Sequence, residues 1–296
     1  MRKTGKKEPA VKLPVVGTAL ASYRFLIDHP HDAVRVGWLP LVLLYALNLI
    51  FGTFEPLPDL SDPEAAMSQI GPLLGSTLIN VLVQSAVAAM TLVVWHRLVM
   101  QGHDLGGKTV PMRITLSEVR YLGRWMLISL LFIGVLFAAD VAIVMTALLV
   151  MLAIQLVSIL AMGGAGLALG GQADQLTLIG QIGMAPATVA AIYLTTRLSL
   201  VLPATATGKE AQFERAWYIS RGNGTRMVMA SLMAMAPLQF VIWLFTKVTG
   251  YMSDTILYYP LALLTSTAFL LFILVTGTVL SLFSLALDRE PVEVAT

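Results

Sequence analysis

The stretch RLSLVLPATATGKEAQFERAWYISRGNGTRM, Arg197–Met227, interrupts a chain made mostly of long apolar runs. It carries Arg197, Lys209, Arg215, Arg221 and Arg226. The membrane face on which these bases lie fixes how often the chain crosses. A membrane is required because 57% of the 296 residues are hydrophobic and only 12% are charged, with a mean hydropathy of +0.80. Soluble domains carry roughly 25% charged residues, and a chain this poor in charge lacks the polar groups to cover a water-facing surface.

Runs of about 20 apolar residues, enough to span the hydrocarbon, fall at 36–54, 73–95, 125–147, 182–202, 228–247 and 257–286. The region 125–171 has room for one crossing or two. Six crossings that start inside leave 18 of the 19 Lys and Arg in the inner segments 1–35, 96–124, 197–227 and 287–296, with only Lys247 elsewhere. The first outer loop then holds Glu55, Asp59, Asp62 and Glu64 and no base. Seven crossings would move the bases of 197–227 outside, against the retention of Lys and Arg on the cytoplasmic side.

The expected fold is therefore all-α: a polytopic membrane bundle of six transmembrane helices with both termini inside. A basic tail covers 1–12, a single transmembrane domain 13–290 and a C-terminal tail 291–296. The tail MRKTGKKEPAVK is not followed by the short apolar core and small-residue cleavage site of a signal peptide, so it reads as cytoplasmic. Residues 148–171 then either extend the third span or form a re-entrant hairpin. AMGGAGLALGG, 161–171, is flexible enough to bend, and Gly166 and Gly170 also form a close-packing G-x-x-x-G pair.

Within 197–227, Thr207-Gly208-Lys209-Glu210 has the form of a capping box. It predicts a helix from Gly208 to about Arg221, stopped by Gly222-Asn223-Gly224. Phe213, Ala216, Trp217 and Ser220 share one face of that helix at helical spacing, which predicts an amphipathic helix lying in the cytoplasmic interface. Thr115-Leu116-Ser117-Glu118 has the same capping form before the third span, and 14–28 predicts another in-plane helix before the first. The chain thus reads as three repeats of surface helix, span, span.

Arg197-Leu198-Ser199-Leu200 with Pro203-Ala204, then Ala216-Trp217, then Ser220-Arg221-Gly222-Asn223, resembles the six-span bacterial membrane proteins of the YciC-like group. It is also similar to the membrane domain attached to some glycerophosphoryl diester phosphodiesterases. The resemblance implies a multi-pass protein of the bacterial inner membrane, and it implies no chemistry.

The chain has no cysteine, which excludes thiolate nucleophiles, disulfides, iron–sulfur clusters and thiolate zinc sites. His29, His31, His96 and His103 include no pair at the i, i+4 spacing of a helical metal site, and all four are expected at the cytoplasmic surface or in the tail. No metal, cofactor or catalytic set is expected, and the chain reads as non-enzymatic. Gly222-Asn223-Gly224 follows no strand and is not a nucleotide fingerprint. The bases are dispersed among membrane loops, so no nucleic-acid partner is expected.

Two candidate sites remain. Arg197, Arg215, Trp217, Arg221, Asn223 and Arg226 could hold an anionic lipid headgroup, because arginine forks fit phosphate and glycine turns present backbone N–H groups to anions. Asp140, in VLFAADVAIVM, is the acid placed inside an apolar span. A carboxylate there costs about 2.5–3.5 kcal/mol on insertion scales. It would serve a transporter as a coupling residue, with Asn48, Asn80, Gln84 and Gln155 as polar neighbours and Pro186 and Pro237 as kinks. The partners expected are membrane lipids, with a second copy or another membrane protein as further candidates.

Overall fold

Backbone amides in hydrocarbon have no water to bond, so apolar runs of this length must satisfy them internally as helices. The computed structural model describes residues 12–51, 63–102, 116–162, 173–209, 212–252 and 255–287. Among the described residues there are helices and no strands. In order these are α1 (Val15–Asp28), α2 (Pro30–Phe51), α3 (Pro63–Gln101), α4 (Leu116–Met162) and α5 (Ala173–Leu198). They are followed by α6 (Val201–Ala206), α7 (Phe213–Ile219), α8 (Gly224–Tyr251) and α9 (Tyr258–Leu287).

Among the described residues six segments are long and apolar enough to cross a bilayer: Pro30–Ile50, Leu78–Gln101, Leu116–Ile143, Pro186–Ala206, Gly224–Tyr251 and Tyr258–Leu287. The chain is a multi-pass membrane protein, and each segment overlaps one of the six expected runs. Of the stretch 148–171 left open between an extension and a hairpin, 148–162 are described, and there α4 continues without a break to Met162, a helix of 47 residues. At 1.5 Å per residue this is about 70 Å, more than twice the thickness of the hydrocarbon. Gln155 has no described side chain, and Gly166 and Gly170 lie outside the described residues.

The chain divides into two compact units, Met1–Trp125 with Ser199–Thr296, and Met126–Leu198. In the first, α9 is the centre. It packs against α1, α2, α3, α6 and α8, and 67% of its spanning window is buried. Its small residues make this possible. A Cβ on Gly277 would stand 2.6 Å from Leu92 Cδ2 and 2.9 Å from Trp95 Cδ1, so only glycine lets α3 lie this close to α9.

Where apolar contacts do not discriminate between helices and lipid, small polar residues do. Asn48 Nδ2 donates to Ser266 Oγ at 2.7 Å, joining α2 to α9. Tyr258 returns a hydrogen bond from its hydroxyl to the Asn48 carbonyl at 3.2 Å. Gln84 donates to Asn80 one turn before it, within α3. The second unit holds the remainder of α4 and α5, with Pro186 inside α5.

α1 forms where an in-plane helix is expected and docks on α8 and α9 through Thr18, Ala19 and Ser22. His29-Pro30-His31 joins two helices directly. His29 ends α1, and Pro30 opens α2, where its missing N–H costs nothing. A short helix followed by two long ones occurs as α1–α2–α3 and again as α7–α8–α9. The corresponding middle segment, 103–115 with Thr115 of its capping form, lies outside the described residues.

Candidate functional site

Thr207 does not start a helix; it ends one. Its hydroxyl donates to the carbonyls of Pro203 and Ala204. Gly208 takes a φ of +75°, the Lys209 amide bonds Ala204 O at 3.0 Å and the Gly208 amide bonds Thr205 O at 3.1 Å. This is a Schellman closure of α6, which glycine at the left-handed position permits. The surface helix is consequently shorter than expected, Phe213–Ile219 rather than Gly208 to Arg221, and Gln212 occupies the cap. Glu210 lies outside the described residues.

α7 turns Ala216 and Ser220 inward, with Phe213 and Ile219 packed against the core beside them. Trp217 does not share that face. It follows Ala216 by about 100° around the helix and is 42% exposed, next to Tyr218 at 58%. Glu214, Arg215 and Arg221 are exposed as well. Arg221 leads into a turn in which Gly222 has a φ of +82°, and α8 starts at Gly224. One short surface thus presents two guanidiniums and two aromatic rings, the combination found where side chains meet a bilayer interface.

The other residues proposed for a headgroup have different positions. Asn223 is buried, and its Oδ1 accepts the Leu13 amide at 3.1 Å. Arg226 Nη1 donates to the Leu13 carbonyl at 3.1 Å. Arg197, at the end of α5, is buried; its guanidinium carbon lies 5.5 Å from the Tyr193 ring centroid and Nη1 donates to the Tyr193 hydroxyl at 3.2 Å. Arg215, Trp217 and Arg221 therefore share an exposed surface, Asn223 and Arg226 lie beneath it, and Arg197 belongs to the other compact unit.

Asp140 is exposed on α4 and has no ion pair among the described residues. It stands 24 residues after Leu116, about 36 Å along the helix. With Leu116 at one surface, that distance brings Asp140 to the far edge of the hydrocarbon rather than its middle.

A second polar cluster escapes sequence reading. α3 does not stop at Trp95 but continues to Gln101. His96, expected at the surface, is 0% exposed. Its Nδ1 shares a hydrogen bond with Ser281 Oγ at 2.7 Å, and its Nε2 shares one with the Tyr121 hydroxyl at 3.1 Å. Beside it, Trp95 Nε1 donates to Thr278 Oγ1 at 2.9 Å. A serine within 2.7 Å of a histidine nitrogen has the spacing of a nucleophile and its base. Here Ser281, His96 and Tyr121 are all wholly buried, so a substrate has no approach in this arrangement.

One residue on, Arg97 pairs with Glu118 at 2.9 Å. It also donates to Ser117 Oγ at 2.8 Å and to the Ala206 carbonyl at 2.7 Å, closing the last turn of α6. Glu118, the last residue of a capping form whose Thr115 lies outside the described residues, is the counter-ion of Arg97. Arg124 donates to Thr205 Oγ1. The cluster locks α3, the start of α4, α6 and α9 together. Among the described residues no group of three or more His, Asp and Glu could hold a metal ion.

No protein-family model, no curated protein and no solved structure matches the chain.

Proposed function

We propose that this protein binds anionic phospholipid at the cytoplasmic leaflet and acts, without catalysis, in the lipid homeostasis or assembly of a bacterial inner membrane. The observation that carries this reading is the exposed surface of α7 and its turn, where Arg215 and Arg221 stand beside Trp217 and Tyr218 at the foot of α8. Interfacial aromatics fix the depth of such a surface, and a guanidinium can bond two phosphate oxygens at once. The charge distribution of the sequence supports a topology with both termini and this surface inside. The resemblance of the Arg197–Asn223 motif to the YciC-like six-span proteins supports the same localisation.

Native mass spectrometry of the purified protein with its lipids retained tests the reading. Wild type should carry acidic lipid selectively, and Arg215→Ala/Arg221→Ala should lose it while remaining folded. Equal, unselective lipid in both would sink the proposal and reduce the surface to a topology anchor.

A further inference from the structure

The exposed sides of α2 and α8 change from apolar to charged at different depths. Depth can be counted from one end of the bundle. α8 and α9 pack along each other as an antiparallel pair, with Met227, Ala230 and Ala234 against Val275, Val279 and Phe283. In the turn between them, the Thr255 and Tyr258 amides bond the Met252 and Thr255 carbonyls at 3.0 and 3.1 Å, so Tyr251 and Tyr258 are level. α2 meets this pair where a Cβ on Gly37 would stand 2.9 Å from Leu270 Cδ2. Leu270 follows Tyr258 by twelve residues, about 18 Å along α9. Arg35, two residues before Gly37, therefore stands about 21 Å from the turn. On α8, the exposed residues Leu232 and Met229 stand about 29 and 33 Å from it.

No flat leaflet suits both sides. A boundary at Arg35 leaves about 21 Å of hydrocarbon where a bilayer has about 30 Å, and it leaves Leu232 and Met229 in water. A boundary at Met229 sinks the charge of Arg35 by about 12 Å. Arg35 is exposed, and it closes a longer polar stripe. Arg24, Asp28, His31 and Arg35 follow one another at helical spacing across the α1–α2 junction, and all four are exposed. Tyr23, beside Arg24, donates to the Ala234 carbonyl. The stripe thus starts near the level at which α8 exposes Leu232 and Met233.

We infer that this stripe draws phospholipid headgroups and water into the leaflet that holds α7, and thins that leaflet along α1 and α2. Bilayers answer a charge at depth by local thinning and water entry, and a short apolar stretch by thinning as well. The long arginine side chains shorten the distance by reaching toward the surface. The occupant of the stripe is the headgroup layer itself. With Asp28 among its bases, the stripe does not select acidic lipid. The inference therefore rests on the six membrane-spanning segments and not on the anionic-lipid reading of α7. It adds a deformation of the leaflet to a role in lipid homeostasis.

The chain has no cysteine, so Val34→Cys and Leu232→Cys, both at exposed positions, each take one nitroxide label without disturbing the packing. The labelled proteins are placed in phosphatidylcholine vesicles. Electron paramagnetic resonance then compares collisions with oxygen, which enters hydrocarbon, and with a water-soluble nickel complex. In a flat leaflet Val34 lies about 6 Å deeper than Leu232. The thinned leaflet inverts that order, and nickel reaches the label at Val34 more than the label at Leu232. Adding Arg24→Leu, Asp28→Leu and Arg35→Leu to the Val34→Cys chain should lower its nickel accessibility and restore the flat order.

A label at Val34 that reads deeper than one at Leu232 overturns the inference. Equal, full access of nickel to both also overturns it, because the exposed side of α8 then stands in water too. An inverted order that survives the three leucines removes the stripe as its cause. The first comparison changes no charge, so it decides alone should the leucine variant fail to insert. These vesicles hold no acidic lipid, so a failure here leaves the reading of α7 untouched.

Discussion

Glu118→Ala should destabilise the protein, and the contacts give the size of the effect. The Glu118 carboxylate meets Arg97 at 2.9 Å, with the two side chains 8% and 27% exposed. Breaking a fully buried pair from one side costs about 3–5 kcal/mol, because the remaining charge is stranded. Arg97 is not fully stranded. It keeps Ser117 and the Ala206 carbonyl and retains part of its water. A charge-assisted hydrogen bond is worth roughly 1.5–3 kcal/mol, so the loss should be about 2 kcal/mol. Arg97→Ala removes three bonds and leaves the more buried partner, so its loss should be about 3 kcal/mol on the same scale. At roughly 2–4 °C per kcal/mol for chains near this size, Glu118→Ala should lower Tm in detergent by about 4–8 °C. The double variant should fall short of the sum by about 1–2 kcal/mol, the coupling of a contacting pair. Strict additivity would refute the pairing and with it the account of why α3 runs past Trp95 to Gln101.

Four further outcomes follow from the same contacts. Gly277→Ala places a methyl on Leu92 and Trp95 and should cost about 1–3 kcal/mol by overpacking, read as a lower Tm; an unchanged Tm would mean that α3 and α9 are not this close. Asn48→Ala should cost about 0.6 kcal/mol, and not above 1.7, as membrane hydrogen bonds do, again by thermal unfolding. Burial raises the Tyr23 phenol above its ordinary value, and its hydroxyl bonds the Ala234 carbonyl. Stability from this contact is therefore complete below the unfolded value near 10 and falls as alkaline pH ionises the folded phenol, a loss that Tyr23→Phe should not show. In the cysteine-free chain, Arg221→Cys should label only from the cytoplasmic side and Ala173→Cys only from the other, with the reverse pattern excluding six crossings from inside.

The six spanning segments and α1 were legible in the sequence because hydropathy is a property summed over a whole helix, and a boundary error of a few residues leaves the sum intact. The details that failed depend on partners far along the chain. Trp95-His96-Arg97 reads as a helix end facing water, since nothing local reveals that Thr278, Ser281, Tyr121 and Glu118 will receive its polar groups. Thr207 fits a capping box by spacing, yet its hydroxyl turned back onto its own helix, a bond open to any threonine. Glycine at 208 was the warning, for it favours an end over a beginning. Trp217 was assigned to the packed face by its i, i+4 spacing from Phe213, yet it stands about 100° round the helix from the buried Ala216 and is exposed. Asn223 and Arg226 look like headgroup ligands in every local respect. Their attachment to Leu13 is visible only in three dimensions.

The same removal of two positive charges, placed at two different sites, tests the central claim most directly. Lipid retained by wild type is compared by native mass spectrometry with that of Arg215→Ala/Arg221→Ala and of a charge-matched control, Arg35→Ala/Arg120→Ala, whose arginines are also exposed but stand on α2 and α4. Selective loss of acidic lipid from the first variant and not the control is the result the account predicts. Equal loss from both would assign the effect to net charge, and no loss from either would remove the α7 surface as a lipid site.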